Sequence, residues 1–129
     1  MYTLMIDHYQ DQFPFVYFQY GRIDMWGTFL FPNPEVTYKY LYEWVEKYSK
    51  HPAKETVVVI GIQFICGHGM RYIERLLKKL ILIHNEKYTV TIQWYFSTTS
   101  IHFDAGKHLS TKLGFPFQFI FVDEIGWYE

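Results

Sequence analysis

The chain has 129 residues, enough for a single domain with one buried core and too few for two domains. Its 12 lysine and arginine residues nearly balance its 13 aspartate and glutamate residues, which gives a formal net charge of −1. This balance excludes the strong positive field that draws proteins to nucleic acid or to anionic membranes, so we expect partners to be recognised by shape. Aromatic residues make up 22% of the chain, and their rings either anchor protein contacts at the surface or line the flanks of the sheet and helices.

The amino-terminal part of the chain predicts a β-hairpin. Residues 13–20 and 23–28 are rich in aromatic and β-branched side chains, which favour strands. Gly21 and Arg22 lie between the two segments and supply the turn. The first ten residues show no clear pattern.

The first predicted helix begins near Asn33. Asn33 is suited to an N-cap, Pro34 to the first turn, and Glu35 to the positive end of the helix dipole. The helix is predicted to continue through Tyr48, because apolar residues recur at the helical period. Its inward stripe is predicted to comprise Thr37, Leu41, Trp44, Val45 and Tyr48.

The middle of the chain predicts a buried strand, a tight loop and an amphipathic helix, and we expect the functional site at this junction. Residues 57–64 form a nearly continuous apolar run, as found in strands that are covered on both faces. The loop is predicted at Cys66, Gly67, His68 and Gly69, where the glycines let the backbone turn. The helix is predicted to begin at Met70, and its apolar positions are Met70, Ile73, Leu76, Leu77, Leu80, Ile81 and His84.

The carboxyl-terminal part predicts two more strands and a third helix. Residues 89–96 partly alternate between polar and apolar side chains, which indicates a strand. The polar residues 97–100 follow as a turn able to cap a helix that continues through Leu113. Gly114 ends that helix, and residues 117–122 are predicted to form the last strand.

The predicted order of elements is β-β-α-β-α-β-α-β, in one domain of residues 1–129 whose core spans about 13–122. Right-handed crossovers place the later strands parallel and pack the helices against the sheet. The predicted fold class is α/β, with a mixed sheet and helices packed on it, an open sandwich that resembles STAS-like domains.

The cellular location is predicted from what the sequence lacks. A single cysteine cannot form an internal disulfide, and the amino-terminal residues have no basic segment followed by a long apolar run. The apolar segment 76–83 is interrupted by two lysines and is far shorter than the roughly 20 residues that a membrane span needs. We therefore expect a cytoplasmic protein without membrane insertion.

Several segments stand in an order and spacing that are typical of one protein family. They are residues 27–34, the helix that holds Tyr40 and residues 43–48, the strand end at Phe64, residues 93–96, residues 104–106 and residues 115–120. Together these segments resemble the SiaC family of regulatory phosphoproteins over roughly residues 15–122. The resemblance implies a SpoIIAA-like fold, related to STAS domains, and a partner-switch function. In that family the unphosphorylated form binds and activates a diguanylate cyclase, while a kinase phosphorylates a threonine after the central strand and a phosphatase reverses it.

This chain departs from the family at the phosphorylation site. Cys66 occupies the place of the acceptor threonine, and residues 65–69 offer no serine or threonine hydroxyl. Residues 97–100 replace an acidic stretch of the family with hydroxyl side chains. The resemblance together with these departures implies that the phospho-switch is lost or moved. Thr98, Thr99 and Ser100 are either alternative phosphorylation sites or turn and capping hydroxyls.

The leading hypothesis is a non-enzymatic regulatory module without a cofactor, which docks a protein partner. The resemblance makes that partner a diguanylate cyclase, a kinase and phosphatase pair, or both. The predicted docking loop is formed by Cys66, Gly67, His68, Gly69 and Met70. The predicted neighbouring surface is formed by Arg71 and Arg75 of the second helix and by Ser97, Thr98, Thr99 and Ser100.

Two chemical alternatives and one metal hypothesis concern the same part of the chain. Cys66 before a helix N-terminus, with Arg71 five residues later, is similar to the anion-gripping thiol loops of cysteine phosphatases and sulfurtransferases. Backbone N–H groups of residues 67–69 offer a weaker signal for a small anion or a nucleotide. The histidines are scattered and there is no second cysteine, so no metal site is predicted.

Overall fold

The computed structural model describes residues 2–6, 15–29, 34–97 and 104–125. The strands are β1 (Leu4–Ile6), β2 (Phe15–Gln19), β3 (Arg22–Phe29), β4 (Glu55–Ile65), β5 (Thr89–Phe96) and β6 (Gln118–Phe121). The helices are α1 (Pro34–Lys50), α2 (Gly67–Ile81) and α3 (Ala105–Leu113). The six strands form one sheet in the order β1-β2-β3-β4-β5-β6.

The predicted fold class is confirmed. Strands β1 to β3 pair antiparallel, and β3 to β6 pair parallel, so the sheet is mixed. One element was missed: β1 pairs with β2 at the edge of the sheet. A strand of three residues is too short for periodicity to reveal, which explains the omission.

The three helices share one core with one face of the sheet. Ile23 and Met25 of β3 and Val58 and Ile60 of β4 alternate inward, as expected of strands with period two. The same buried cluster contains the inner residues of all three helices, which include Leu41, Trp44, Leu76, Leu77 and Leu109. The helices therefore lie on the same side of the sheet.

Tyr48, near the end of α1, ties the hairpin to the start of β4. Its hydroxyl accepts the N–H groups of Gly21 at 3.2 Å and Ala53 at 3.1 Å. It also shares a hydrogen bond of 2.6 Å with the hydroxyl of Thr56. Gly21 turns the chain between β2 and β3 with φ of 84°, a value that favours glycine. The predicted hairpin is thus confirmed and is held by a side chain that is 0% exposed. Its turn is formed by Tyr20 and Gly21 and not by Gly21 and Arg22, because Arg22 already pairs with Gln19 as the first residue of β3.

The opposite face of the sheet carries a buried carboxylate. Asp24 on β3 is 1% exposed and accepts a bond of 3.0 Å from Nε of Arg22. Burial raises the pKa of Asp24 above its ordinary value of 3.8, and Arg22 partly opposes this shift. Trp26 lies on the same face, with its ring 4.9 Å from that of Tyr95.

Some predicted details of α1 and α3 differ from the structure. In α1 the fully buried stripe contains Tyr38, whereas the predicted Thr37 is only half-buried. The predicted cap at Asn33 lies outside the described residues. Helix α3 begins after its N-cap position, Asp104, and not directly after the predicted turn, of which residues 98–100 lie outside the described residues. Gly114 ends the helix in the left-handed conformation, as predicted.

Helix α2 also differs from its predicted bounds at both ends. It begins at Gly67 and ends at Ile81, three residues earlier than predicted at each end. After Leu82 the N–H groups of Ile83 and His84 bond to carbonyls three residues back, which tightens and closes the helix. His84 is exposed, and its Nδ1 accepts the N–H of Val90 at 3.0 Å.

Candidate functional site

Cys66 stands between β4 and α2, at the carboxyl edge of the parallel strands. Its backbone is extended, with φ of −80° and ψ of 166°, and its Sγ accepts the N–H of Gly69 at 3.4 Å. Its carbonyl accepts the N–H of Met70 at 3.0 Å, which is the first bond of the helix. The predicted loop at residues 66–69 is therefore wrong: Cys66 is the N-cap, and Gly67, His68 and Gly69 form the first helical turn.

Close packing explains the glycine at position 69. A Cβ there would lie 2.6 Å from Cγ1 of Ile65 and 3.4 Å from the hydroxyl of Tyr38. A Cβ added at Gly67 would have no neighbouring atom within 4 Å. Gly69 is thus required by the approach of α2 to the end of β4, whereas Gly67 is not.

Tyr38 lies beneath this helix start. Its ring stacks on that of Tyr72, with centroids 4.6 Å apart, and joins α1 to α2. Burial raises the pKa of Tyr38 well above its ordinary value, and the nearby Cys66 and Tyr72 raise it further. The hydroxyl therefore stays protonated, so Tyr38 adds no charge to the site.

A groove of about 460 Å³ runs from Cys66 to α3. It is lined on the α2 side by Cys66, Gly67 and Met70, and on the α3 side by Ala105, His108 and Lys112. Lys112 forms an ion pair of 2.9 Å with Glu74 across the groove. We call Cys66, Gly67, His68, Met70, Ala105, His108 and Lys112 the Cys66 surface. The α3 residues were not among the predicted site residues, although their spacing of three and four places them on one helix face.

The structure brings together only part of the predicted site. Cys66, Gly67 and His68 are exposed, Met70 is half-buried, and Gly69 is buried. Arg71 and Arg75 are exposed on α2, and the guanidinium of Arg75 lies over the ring of Tyr72 at 5.5 Å. Ser97 is 0% exposed, so its side chain is not available to a partner and we exclude it from the surface. Thr98, Thr99 and Ser100 lie outside the described residues.

The geometry disfavours an anion-gripping thiol loop. Such a loop wraps its backbone around the anion between the cysteine and the arginine, but residues 67–70 here are already helical. On an α-helix, five positions separate Cys66 from Arg71 by about 140° around the axis and about 7.5 Å along it. The two side chains therefore point in different directions from the helix.

The helix start is also poor in free backbone donors for an anion or a nucleotide. The N–H of Gly69 is bound by Cys66 Sγ, and that of Met70 by the Cys66 carbonyl. Residues 67–69 were considered as weak donors to a small anion, and of their N–H groups only those of Gly67 and His68 are not used by these two hydrogen bonds. Two donors at one helix end are less than the ring of donors that a phosphate loop supplies.

In the ranges that the structure describes, no three histidine, cysteine, aspartate or glutamate side chains stand close enough to hold a metal ion. None of the helices described is long and apolar enough to cross a membrane.

Comparison with known proteins identifies the family. The sequence model described as SiaC family regulatory phosphoprotein matches residues 8–122. The fold is similar to apo-SiaC from Pseudomonas aeruginosa, with a TM-score of 0.74, 16% identity, and coverage of 94% of this chain and 98% of that one. It is also similar to a chain in the crystal structure of the diguanylate cyclase SiaD in complex with its activator SiaC from the same organism. That match has a TM-score of 0.77, 16% identity, and coverage of 92% of this chain and 99% of that one.

At this level of identity the structural likeness concerns the fold alone. No curated protein sequence matches the chain. The family assignment rests on the sequence model, which covers most of the chain, from residue 8, after β1, to residue 122, just past β6. The chain belongs to the SiaC family of regulatory phosphoproteins.

Proposed function

We propose that this chain is a non-enzymatic regulator that binds a diguanylate cyclase and changes its activity through the Cys66 surface. Family membership supports a regulatory role, and the related SiaC is the activator of the cyclase SiaD. The observation that carries the proposal is the family match over residues 8–122, together with an exposed thiol that caps α2 directly after β4. The sequence resemblance implies that this position corresponds to the family's acceptor threonine. We place its action in the cytoplasm, where a cyclase finds its GTP.

The proposed regulator differs from its family in having no phospho-switch on this surface. Phosphorylation of a hydroxyl at a helix start adds about −1.5 to −2 charges and so changes the charge and the hydrogen-bonding groups that the surface presents to a partner. Residues 57–88 contain no serine or threonine, so neither the end of β4 nor α2 offers an acceptor of that kind. The part of the surface that β4 and α2 form therefore keeps the same charge, and the chain binds through it constitutively.

The chemistry of the Cys66 surface is suited to a protein partner. Its centre is neutral, because Cys66 and Gly67 are uncharged and the first turn of α2 holds no acidic residue. Charged side chains stand at its edge, namely Glu74 and Lys112, which form an ion pair with each other. A neutral centre within a charged rim is the usual arrangement of a protein–protein interface.

Binding to a cyclase tests the proposal directly. The purified chain is mixed with each diguanylate cyclase of the same genome, and complex formation and cyclic di-GMP synthesis from GTP are measured. We expect one complex with a changed rate of synthesis. His68→Glu, which puts a charge on the surface, should weaken that complex by about tenfold or more. His51→Glu makes the same change at an exposed position just beyond α1 and should leave it intact. If no cyclase forms a complex with the chain at protein concentrations of tens of micromolar, the proposal is contradicted.

The reactivity of the thiol separates a regulator from a thiol enzyme. The rate of Cys66 alkylation by iodoacetamide is measured from about pH 5 to pH 9. We expect alkylation no faster at any pH than that of a small free thiol measured alongside. A rate that stays high well below neutral pH would favour thiol chemistry instead.

A further inference from the structure

A second surface of the molecule lies between α1 and α2, away from the Cys66 groove. A cavity of about 540 Å³ opens there, and its floor is formed by Tyr38, Tyr72 and Leu76. Tyr42 and Leu82 line the same cavity and are 38% and 74% exposed. Two large apolar side chains are thus left open to solvent beside an aromatic floor, which is typical of a binding groove.

The rim of this α1–α2 groove is strongly positive. Lys39, Arg75, Lys78 and Lys79 line it, against the single carboxylate of Glu35. The chain as a whole has a net charge of −1, so these four cations are a local concentration of positive charge. Within the parts of the chain that the structure describes, none of the four forms an ion pair. The charge is therefore open to an anionic partner.

The dimensions of the groove indicate what it holds. On α1 the lining runs from Glu35 to Tyr42, about 10 Å at 1.5 Å per residue. On α2 it runs from Tyr72 to Leu82, about 15 Å on the same scale. The residues recur every three or four positions on both helices, so the groove is a trough between two helix faces. A third helix of about ten residues fills such a trough with anchors at i, i+3, i+4 and i+7.

We propose that the α1–α2 groove binds an acidic amphipathic helix of the protein partner. Apolar anchors of that helix contact Tyr42, Tyr72 and Leu82, and its carboxylates face Lys39, Lys78 and Lys79. This inference rests on the proposed function, since it names the chemistry of the partner that the regulator recognises. It adds a second contact, with a positive rim, to the neutral Cys66 surface.

A designed peptide tests the groove without knowledge of the partner. The probe is a synthetic helix of about 14 residues with leucine at the four anchor positions and glutamate elsewhere. Binding of the labelled peptide to the whole chain is measured by fluorescence anisotropy, and the contact site by amide chemical shifts. We expect the acidic peptide to bind at least about tenfold more tightly than the same peptide with lysine for glutamate. The shifts should concentrate on α1 and α2.

Matched variants locate the binding. The double variant Lys39→Glu, Lys78→Glu reverses two exposed rim charges and should lower the affinity for the acidic peptide by about tenfold or more. The control double variant Lys50→Glu, Lys107→Glu makes the same change of charge at exposed positions outside the groove. It should lower the affinity for the acidic peptide by less than about threefold. Equal losses in the two variants, equal binding of the two peptides, or no binding at about 1 mM would overturn the proposal.

The same variants separate this inference from the proposed function. A cyclase that binds the unchanged chain and the Lys39→Glu, Lys78→Glu variant equally well overturns the groove assignment and leaves the regulator intact. A chain that binds the acidic peptide in the groove but binds no cyclase supports the groove and contradicts the proposed cyclase partner.

Discussion

Replacing Cys66 with aspartate should stabilise the fold and weaken partner binding at the same time. Cys66 Sγ accepts the Gly69 N–H at 3.4 Å, and sulfur is a weak acceptor. A carboxylate accepts the same N–H more strongly and lies at the positive end of the α2 dipole. The same charge, however, enters the neutral centre of the Cys66 surface.

The magnitude follows from the two effects at the helix start. A good N-cap contributes about 0.5 to 2 kcal/mol relative to alanine, and Cys66 already supplies part of this. The dipole adds about 0.3 to 1 kcal/mol for a carboxylate. We expect Cys66→Asp to be about 1 kcal/mol more stable, which raises Tm by about 2 to 5 °C in a chain of this size. Partner affinity should fall at least about tenfold, or about 1.4 kcal/mol.

Cys66→Ser is the matched control, because a hydroxyl caps the helix without adding a charge. Thermal unfolding measures stability, and titration with the cyclase identified as the partner measures affinity. The serine variant should bind within about twofold of the unchanged chain. Equal affinities of the aspartate and serine variants would refute the reasoning, since charge at this position would then have no effect. A lower Tm for Cys66→Asp would refute the capping role.

Three other predictions concern stability. Gly69→Ala should lower the free energy of unfolding by about 1 to 3 kcal/mol in denaturant titrations, because the added Cβ has no room. Gly67→Ala in the same turn should be neutral or stabilising by up to about 1 kcal/mol. A loss of stability in both variants would refute the packing argument. Tyr48→Phe should lower the free energy of unfolding by about 1 to 3 kcal/mol, because it leaves buried N–H donors without an acceptor. Tyr40→Phe, on the exposed face of the same helix, should lower it by less than about 0.5 kcal/mol. Equal effects would show that the hydroxyl network does not contribute to stability. The raised pKa of Asp24 means that the folded state holds its proton more tightly than the unfolded state, so its contribution to stability should be full below pH 3.8 and lost as pH rises through the raised folded value. Asp24→Asn should lack this pH-dependent loss, which is checked by measuring the free energy of unfolding of both proteins across pH. If the difference between their unfolding free energies is the same at every pH, the assigned burial effect is contradicted.

The sheet could be predicted because its strands carry strong local signals. The apolar run in β4 and the alternation in β5 are long enough to identify, and the helices between them make the crossovers parallel. Strand β1 lacks such a signal, because three residues at a sheet edge gain their order from pairing with β2.

The start of α2 could not be predicted because packing overrides local propensity there. Two glycines in three residues disfavour a helix by about 1 kcal/mol each, which is why the segment was interpreted as a loop. The structure shows that Gly69 permits contact with Ile65 and that Cys66 caps the turn. These gains depend on the end of β4, which a local reading of the sequence does not include.

The composition of the site depends on long-range contacts in the same way. The Cys66 surface includes His108 and Lys112, which lie some 40 residues along the chain and reach the site only because α3 packs beside α2. Ser97 was predicted on this surface because polar residues usually mark exposed turns, but it is buried. Arg75 was predicted on the surface beside Cys66, but the packing of α1 against α2 places it at the rim of a separate cavity together with three lysines.

Cyclase activity in the presence of a kinase tests the central claim most directly. Cyclic di-GMP synthesis is measured for the partner cyclase with this chain, before and after incubation of the chain with a SiaC-type kinase and ATP. A regulator whose docking surface lacks a phosphate acceptor should change the rate of synthesis equally in both conditions. A change in rate that disappears after kinase treatment, or that is absent from the start, would contradict the account.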